Sequence, residues 1–362
     1  MTTQASNRKP AAANKMSPRL VADDNGYAAH KLAWIDQAGK IMTGKVATMI
    51  QAGGNGLSTT KGNRVGAYGV NGNEYHCSPI ISSPLNIRNQ DYPVSVANRV
   101  LFNHALAKFG LLGVPVRAAV TLPFRDYFNA DGTMNEKLKD AVETNFSTRD
   151  VTVFNSESQP DVISVRVCAE ALSAWFDWAM DDLGNMTADY NELHDLNGQM
   201  LVVDIGGSTT DLVALGLVDG ELLINHQKSG TEKVGVLDAL SKLDDLVRAT
   251  MNAEGAAGMS SHDSKMPQNL LEMILEKGKC SYAGKGWNFE GERDAACRGV
   301  AESIVSYIKS KVGNPGQYNY ILVVGGGAIV FKKWITEIFT NATFGDEFSN
   351  ARGALKYMRG AM

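Results

Sequence analysis

The sequence predicts an α/β protein of two related domains, each a mixed sheet of the five-stranded kind flanked by helices, with a cleft between them. Three observations lead there. Apolar strand-like runs alternate with helical stretches such as "VANRVLFNHALAKFG" and "GVAESIVSYIKSKVG". At 362 residues with 44% hydrophobic content, the chain exceeds the size at which one core keeps growing, so two domains are expected. A strand-turn-strand motif opened by Asp-x-Gly also occurs twice, 180 residues apart.

The first copy, "RLVADDNGYAAHKLAW", carries Asp24, Asn25 and Gly26, with Lys31 seven positions after Asp24. The second, "LVVDIGGSTTDL", carries Asp204, Gly206 and Gly207, then Ser208 and Thr209, with Asp211 at the same offset. Strands that end in an aspartate and tighten at glycine expose backbone N–H groups where the chain reverses, which makes a cradle for phosphate. One hairpin from each domain would close on opposite sides of a polyphosphate. Lys31 would neutralise phosphate charge, and Asp24 and Asp204 would hold Mg²⁺ through water, because that ion gives up its hydration shell reluctantly. Asp23 is the alternative to Asp24; the choice rests on the Asp-x-Gly pattern and the lysine offset. Ser208 sits in the turn and is a better phosphate donor than Thr209 or Thr210, which also suit a strand.

A third glycine cluster, Gly325, Gly326 and Gly327, follows the strand-like "YILVV" and leads through Ala328 into an amphipathic stretch. Glycines at a strand-to-helix junction let a ligand lie against the backbone. No G-x-x-x-x-G-K-[ST] occurs, and "GGGAIVF" lacks the G-x-G-x-x-G spacing, so the P-loop and Rossmann readings fall.

Composition excludes other classes. With a net charge of −4 and no dense block of Lys and Arg, direct nucleic-acid binding is not expected. Four scattered cysteines without a C-x-x-C pair fit a reducing, cytoplasmic setting, and no run of about eighteen apolar residues suggests a membrane span. Residues 1–17 read as a disordered tail without a signal-peptide core.

Three glycine turns in the order hairpin, hairpin, strand-to-helix resemble the actin, Hsp70 and sugar-kinase ATPase superfamily, and more closely its ParM branch. The connecting stretch "VTVFNSESQPDVI", the strand "AAVTLP" before an aromatic and acidic turn, and the helix in "DYPVSVANRVLFNHALAKFG" are similar to that branch. The resemblance implies an actin-like ATPase fold with domain I at 18–198, domain II at 199–345, and a C-terminal helix at 346–362 returning to domain I. It implies ATP and Mg²⁺ as ligands, with Glu157 activating the water that attacks the γ-phosphate; read without the family, Glu157 is a helix-start residue beside a Ser156 cap. Gly230 and Gly235, in "SGTEKVGVLDAL", are candidates for the approach to the sugar. The implied activity is ATP hydrolysis that controls a homopolymeric filament segregating plasmid DNA, with a small DNA-binding adaptor of the ParR type and no membrane partner. The alternative is a non-polymerising ATPase, Hsp70-like or a small-molecule kinase, though no substrate-binding domain follows and no acceptor-site base is evident. GTP in place of ATP stays open.

Other features read as structure. His76 and Cys77 lack further metal ligands at suitable spacing and suggest strand surface. Trp175, Phe176 and Trp178 recur at helical spacing and suggest core. The glycines between Gly53 and Gly72 suggest turns and hairpin tips, a region that meets the next subunit in filament-forming relatives. Residues 252–268 suggest a surface loop without an assigned role.

Overall fold

The computed structural model describes residues 17–54, 57–81, 83–255 and 265–360. Two large sheets dominate. The first contains β1 (Arg19–Asn25), β2 (Ala29–Ile35), β3 (Ile41–Ala47), β4 (Pro115–Leu122) and β5 (Asp161–Ala169), in the spatial order β5-β4-β1-β2-β3. The second contains β6 (Gln199–Ile205), β7 (Thr210–Val218), β8 (Glu221–Ile224), β9 (Tyr320–Val324) and β10 (Ala342–Phe344), in the order β10-β9-β6-β7-β8. Both orders describe one topology. In each sheet the leading strand pairs antiparallel with its hairpin partner on one side and parallel with a later strand on the other. A sixth short strand, Gly230–Glu232, pairs with β7 and extends the second sheet.

Side chains alternate across each sheet, and both faces are covered by helices, so the strands read as near-continuous apolar runs. On one face of the first sheet Val21, Leu32 and Val120 pack with Phe102, Leu106 and Phe146 from helices Val96–Lys108 and Glu136–Ser147. On the other, Ala22, Ala33 and Ala119 meet Ala351, Ala354 and Leu355 of the C-terminal helix Ser349–Gly360. Small residues on both sides let that helix lie close to the strands. The second sheet buries Val203 and Ile205 against Ile304 and Ile308 of helix Glu290–Val312, and Val202 and Val213 against Trp175 of helix Leu172–Ala179. Trp175, Phe176 and Trp178 are thus packing residues.

A separate four-stranded sheet is built from Ile50–Ala52, Ala67–Val70, Asn73–Cys77 and Val151–Val153. The glycine-rich stretch runs between its strands, with Gly69 inside one of them and a separate short hairpin, Leu57–Ser58 with Arg64–Val65, along the way. His76 and Cys77 belong to one of its strands as expected, but they are buried at 1% and 2% exposure and not on its surface. All four cysteines are free and buried. The stretch at 252–268 lies largely outside the described residues. Among those described, no helix is long and apolar enough to cross a membrane.

Candidate functional site

The repeated motif folds as the repetition suggests. In β1 and β2, Asp24 lies opposite Lys31; in β6 and β7, Asp204 lies opposite Asp211. The two turns meet. A Cβ added to Gly207 would fall 2.7 Å from that of Ala28, so glycine is what lets the second hairpin approach the first.

Behind this contact lies a chamber lined by Asp24, Asn25, Gly26, Lys31, Thr121, Glu170, Asp204, Gly206, Gly207, Ser208 and Thr209. In front lies a cleft of about 540 Å³ that shares Ala28, Ala29, Lys31 and Gly207 with the chamber. The pinch between the turns separates the two compartments.

Alternation along β1 decides between the two aspartates. Asp23 points away from the chamber and accepts from or shares a proton with His30 Nδ1 at 2.7 Å, while His30 Nε2 lies 2.8 Å from the Tyr92 hydroxyl. Asp24 faces the chamber, pairs with Lys31 Nζ at 2.9 Å, and accepts from the Thr121 hydroxyl at 3.2 Å. Thr121 Oγ1 also lies 3.4 Å from Glu170 Oε1, and the Thr121 N–H donates to the Asn25 side chain. Asp204 accepts from Asn350 Nδ2, and Asn350 Oδ1 in turn accepts from the N–H of Ala171. Asn350 therefore ties the second hairpin to the residue that follows Glu170. Ala171 sits at φ +60°, a region costly for a side chain, at the junction between β5 and the next helix.

Glu170 is the chamber carboxylate that sequence reasoning did not single out, whereas Glu157, expected there as the water-activating residue, lies outside the chamber. The stretch after Val151–Val153 does not lead into a helix: it is an exposed loop followed by β5, nine residues long. Glu157 precedes the start of β5 and Glu170 follows its end, so the strand holds them about 30 Å apart at ~3.3 Å per residue. β1, β4 and β5 run parallel, and their C-terminal ends converge on the chamber. Glu157 is exposed at the opposite end. The missed signal was a lone carboxylate in the apolar run "VRVCAEALSAWF", where an acid among apolar residues requires a reason.

The remaining glycines divide. Gly235 caps helix Val236–Ala253, and a Cβ there would lie 2.6 Å from the carbonyl oxygens of Gly206 and Gly207; the N–H groups of Val236 and Leu237 donate to those same carbonyls. Gly235 thus braces the second turn from behind. Gly325, at φ +85°, abuts Asp204 Oδ1, and Gly327 packs on Ile205, while Gly326 lines the large cleft. Ala328 turns into the core. Gly230 lies in the short strand beside Tyr307 and Lys311 and lines neither compartment, because its backbone is committed to pairing with β7.

Electrostatics follow from crowding acids around one lysine. Burial, then the neighbouring Asp24 charge, pushes Asp204 up to about 6; burial, with Asp204 nearby, pushes Asp211 up to about 7. Burial and the charges of Asp211, Asp24 and Asp204 raise Glu170 well above the usual carboxylate range. For Lys31, burial favours the neutral amine, but Asp24 and Asp204 outweigh it and hold the ammonium charged. The folded state therefore binds more protons than the unfolded chain between about pH 4 and 7, and stability should fall as pH rises through that window. Thermal melts of the ligand-free protein are expected to show a lower Tm at pH 8 than at pH 5. Asp211→Asn, whose amide oxygen can still accept from Phe124 N and Thr231 Oγ1, should flatten that slope; an unchanged slope would show that these acids are not the cause.

The donor set fits a hydrated divalent cation, since Asp24, Asp204 and Glu170 share a chamber whose one lining cation is Lys31. Among the described residues no three acidic, His or Cys side chains stand close enough to ligate an ion directly, so such a cation would be held through water.

Two sheets of common topology, each presenting an Asp-x-Gly hairpin to a shared cleft, define an actin-like fold. Residues 19–181 match the N-terminal model of plasmid segregation protein ParM, and residues 202–337 match the C-terminal model of the archaeal MreB-like actin homologue. The chain is a ParM-like actin homologue. Among solved structures it is similar to a non-polymerisable quadruple mutant of pCBH ParM, at 18% identity and TM-score 0.71 over 95% of this chain and 100% of that one. It is similar to a 15-stranded ParM filament from Clostridium botulinum, at 19% identity and TM-score 0.70 over 95% and 100%. It also resembles the archaeal actin homologue Ta0583 in complex with ADP, at 18% identity and TM-score 0.68 over 94% and 98%. Compared with proteins of curated function, the sequence finds no match.

Proposed function

We propose that this protein is a cytoplasmic ATPase that polymerises into filaments and segregates plasmid DNA, with residues 18–198 and the C-terminal helix as one domain and 199–345 as the other. The observation that carries the reading is the pair of register-matched hairpins, whose Asp24 and Asp204 line one chamber with Glu170. The likeness to a ParM filament and to an ADP-bound actin homologue supports it.

The turn N–H groups and Ser208 hold the β- and γ-phosphates, Lys31 offsets their charge, and the base and sugar occupy the larger cleft beside Gly326. Mg²⁺, held through water by Asp24 and Asp204, supplies further charge neutralisation. Phosphoryl transfer needs little covalent help from protein; it needs an in-line water and a stabilised transition state. Glu170 orients that water and takes its proton, a role for which its raised proton affinity suits it. Closure of the cleft on ATP favours assembly, and hydrolysis weakens subunit contacts. A small DNA-binding adaptor of the ParR type would link filament to plasmid.

Sedimentation with ATP, ADP and a non-hydrolysable ATP analogue tests the polymer. Pelleting with ATP and the analogue, and little with ADP, is expected. A protein that hydrolyses ATP yet stays in the supernatant under all three conditions is a non-polymerising ATPase.

A further inference from the structure

The chamber faces an imbalance of charge. Asp24, Asp204 and Glu170 line it with Lys31 as the one lining cation, and Asp211 stands behind. A polyphosphate entering that space meets acids first. One cation stands at its rim.

Arg88 lies in the segment between the four-stranded sheet and the short helical turn Tyr92–Val94. Its Nη2 donates to Ser208 Oγ at 2.8 Å and its Nε to the same oxygen at 3.2 Å. Ser208 belongs to the turn of the second hairpin, 120 residues away, so this contact spans the mouth of the chamber from one half of the molecule to the other. Among the described residues Arg88 forms no ion pair with a carboxylate. Two donors of a fixed, forked guanidinium thus converge on a single neutral hydroxyl, an arrangement that leaves most of its capacity for anions unused. Its neighbours fix its place further. Tyr27, which lines the chamber, donates to the carbonyl of Asn89, the residue after Arg88. The Arg88 charge also draws down the Tyr27 hydroxyl pKa against burial, Asp126 and Glu170, which raise it.

We infer that Arg88 is a binding residue for the terminal phosphate of the nucleotide, reaching across the cleft to distinguish a triphosphate from a diphosphate. The inference rests on the functional reading above. Its fork exchanges the Ser208 hydroxyl for phosphoryl oxygens, a charge-assisted bidentate contact available only when the third phosphate is present. Because Arg88 is carried on the segment that joins the four-stranded sheet to the helix Val96–Lys108, the same contact would draw that sheet toward the second half when ATP is bound.

The test is the affinity of fluorescent ATP and ADP analogues, in the presence of Mg²⁺, for the wild-type chain, Arg88→Ala and Arg88→Lys. Arg88→Ala should weaken the ATP analogue about 10-fold and leave the ADP analogue within about twofold, a loss of the size expected for one charge-assisted contact. Arg88→Lys should recover part of the difference, since it restores charge without the fork. Arg88 is exposed and touches one hydroxyl, so the melting temperature of both variants should match the wild type. Equal weakening of both analogues, or no weakening of either, overturns the assignment while the functional reading stands. If the wild-type chain binds neither analogue, both fall together.

Discussion

Glu170→Gln is expected to abolish turnover while leaving nucleotide in the cleft. The substitution keeps size and the neighbouring Thr121 hydroxyl but removes the basic oxygen, so kcat should drop by about 10²- to 10⁴-fold, the usual contribution of a positioned acid or base. Affinity for ATP should hold or rise, because one fewer carboxylate opposes the phosphates. Filaments should then form with ATP and persist. Single-turnover phosphate release separates this from a binding defect, and Glu157→Ala provides the contrast: exposed at the far end of β5, it should release phosphate at the wild-type rate. If Glu157→Ala stalls hydrolysis and Glu170→Gln does not, the chamber has been misread.

Gly353→Ala should cost more in stability than most single-atom additions. A Cβ there would fall 1.7 Å from the carbonyl oxygen of Ser173 and 2.9 Å from the N–H nitrogen of Asp177, both backbone atoms of the crossing helix Leu172–Ala179. Nothing flexible can yield. Alanine gains about 1 kcal/mol of helix propensity over glycine, but overpacking of this kind costs roughly 3 kcal/mol, so the clash wins. The C-terminal helix must shift, and with it Asn350, whose contacts to Asp204 and to Ala171 N hold the two sides of the chamber together. Denaturant melts should show the loss, and nucleotide affinity should fall with it. Gly291→Ala is the control. It lies in helix Glu290–Val312 with open space around its missing Cβ, and should stabilise by about 0.5–1 kcal/mol. A Gly353→Ala protein as stable as wild type would mean that the two helices do not cross so closely.

The hairpins were legible because their information is local. Asp24 and Lys31, or Asp204 and Asp211, are seven residues apart in a strand-turn-strand, and a register fixed by a short turn puts them opposite one another whatever the rest of the chain does. Glu170 was not legible on those terms. Its place depends on β5 lying parallel to β4 and β4 to β1, pairings such as Ala169 with Leu122 and Asp23 with Val120 that join residues 47 and 97 positions apart, and on a left-handed Ala171 that no spacing advertises. Glu157 sat beside an Asn-Ser-Glu-Ser stretch that looks like a helix start, and nothing local revealed that a nine-residue strand would follow it. The glycines split the same way. Gly206 and Gly207 announce themselves within their own turn, whereas the bracing role of Gly235 and the core placement of Ala328 arise from contacts with β6 and its turn that form only on folding.

The hairpins match rung for rung in shape but not in charge: one second rung is a lysine that meets the cavity, the other an aspartate spent on Phe124 N and Thr231 Oγ1 of the surrounding scaffold. A cradle built by duplication would accept a linear anion in either sense if both halves were alike. This one is a polar socket: a linear anion threaded through it would meet an ammonium on one hairpin and a committed carboxylate on the other, so Lys31 and Asp211 would favour one direction over its reverse.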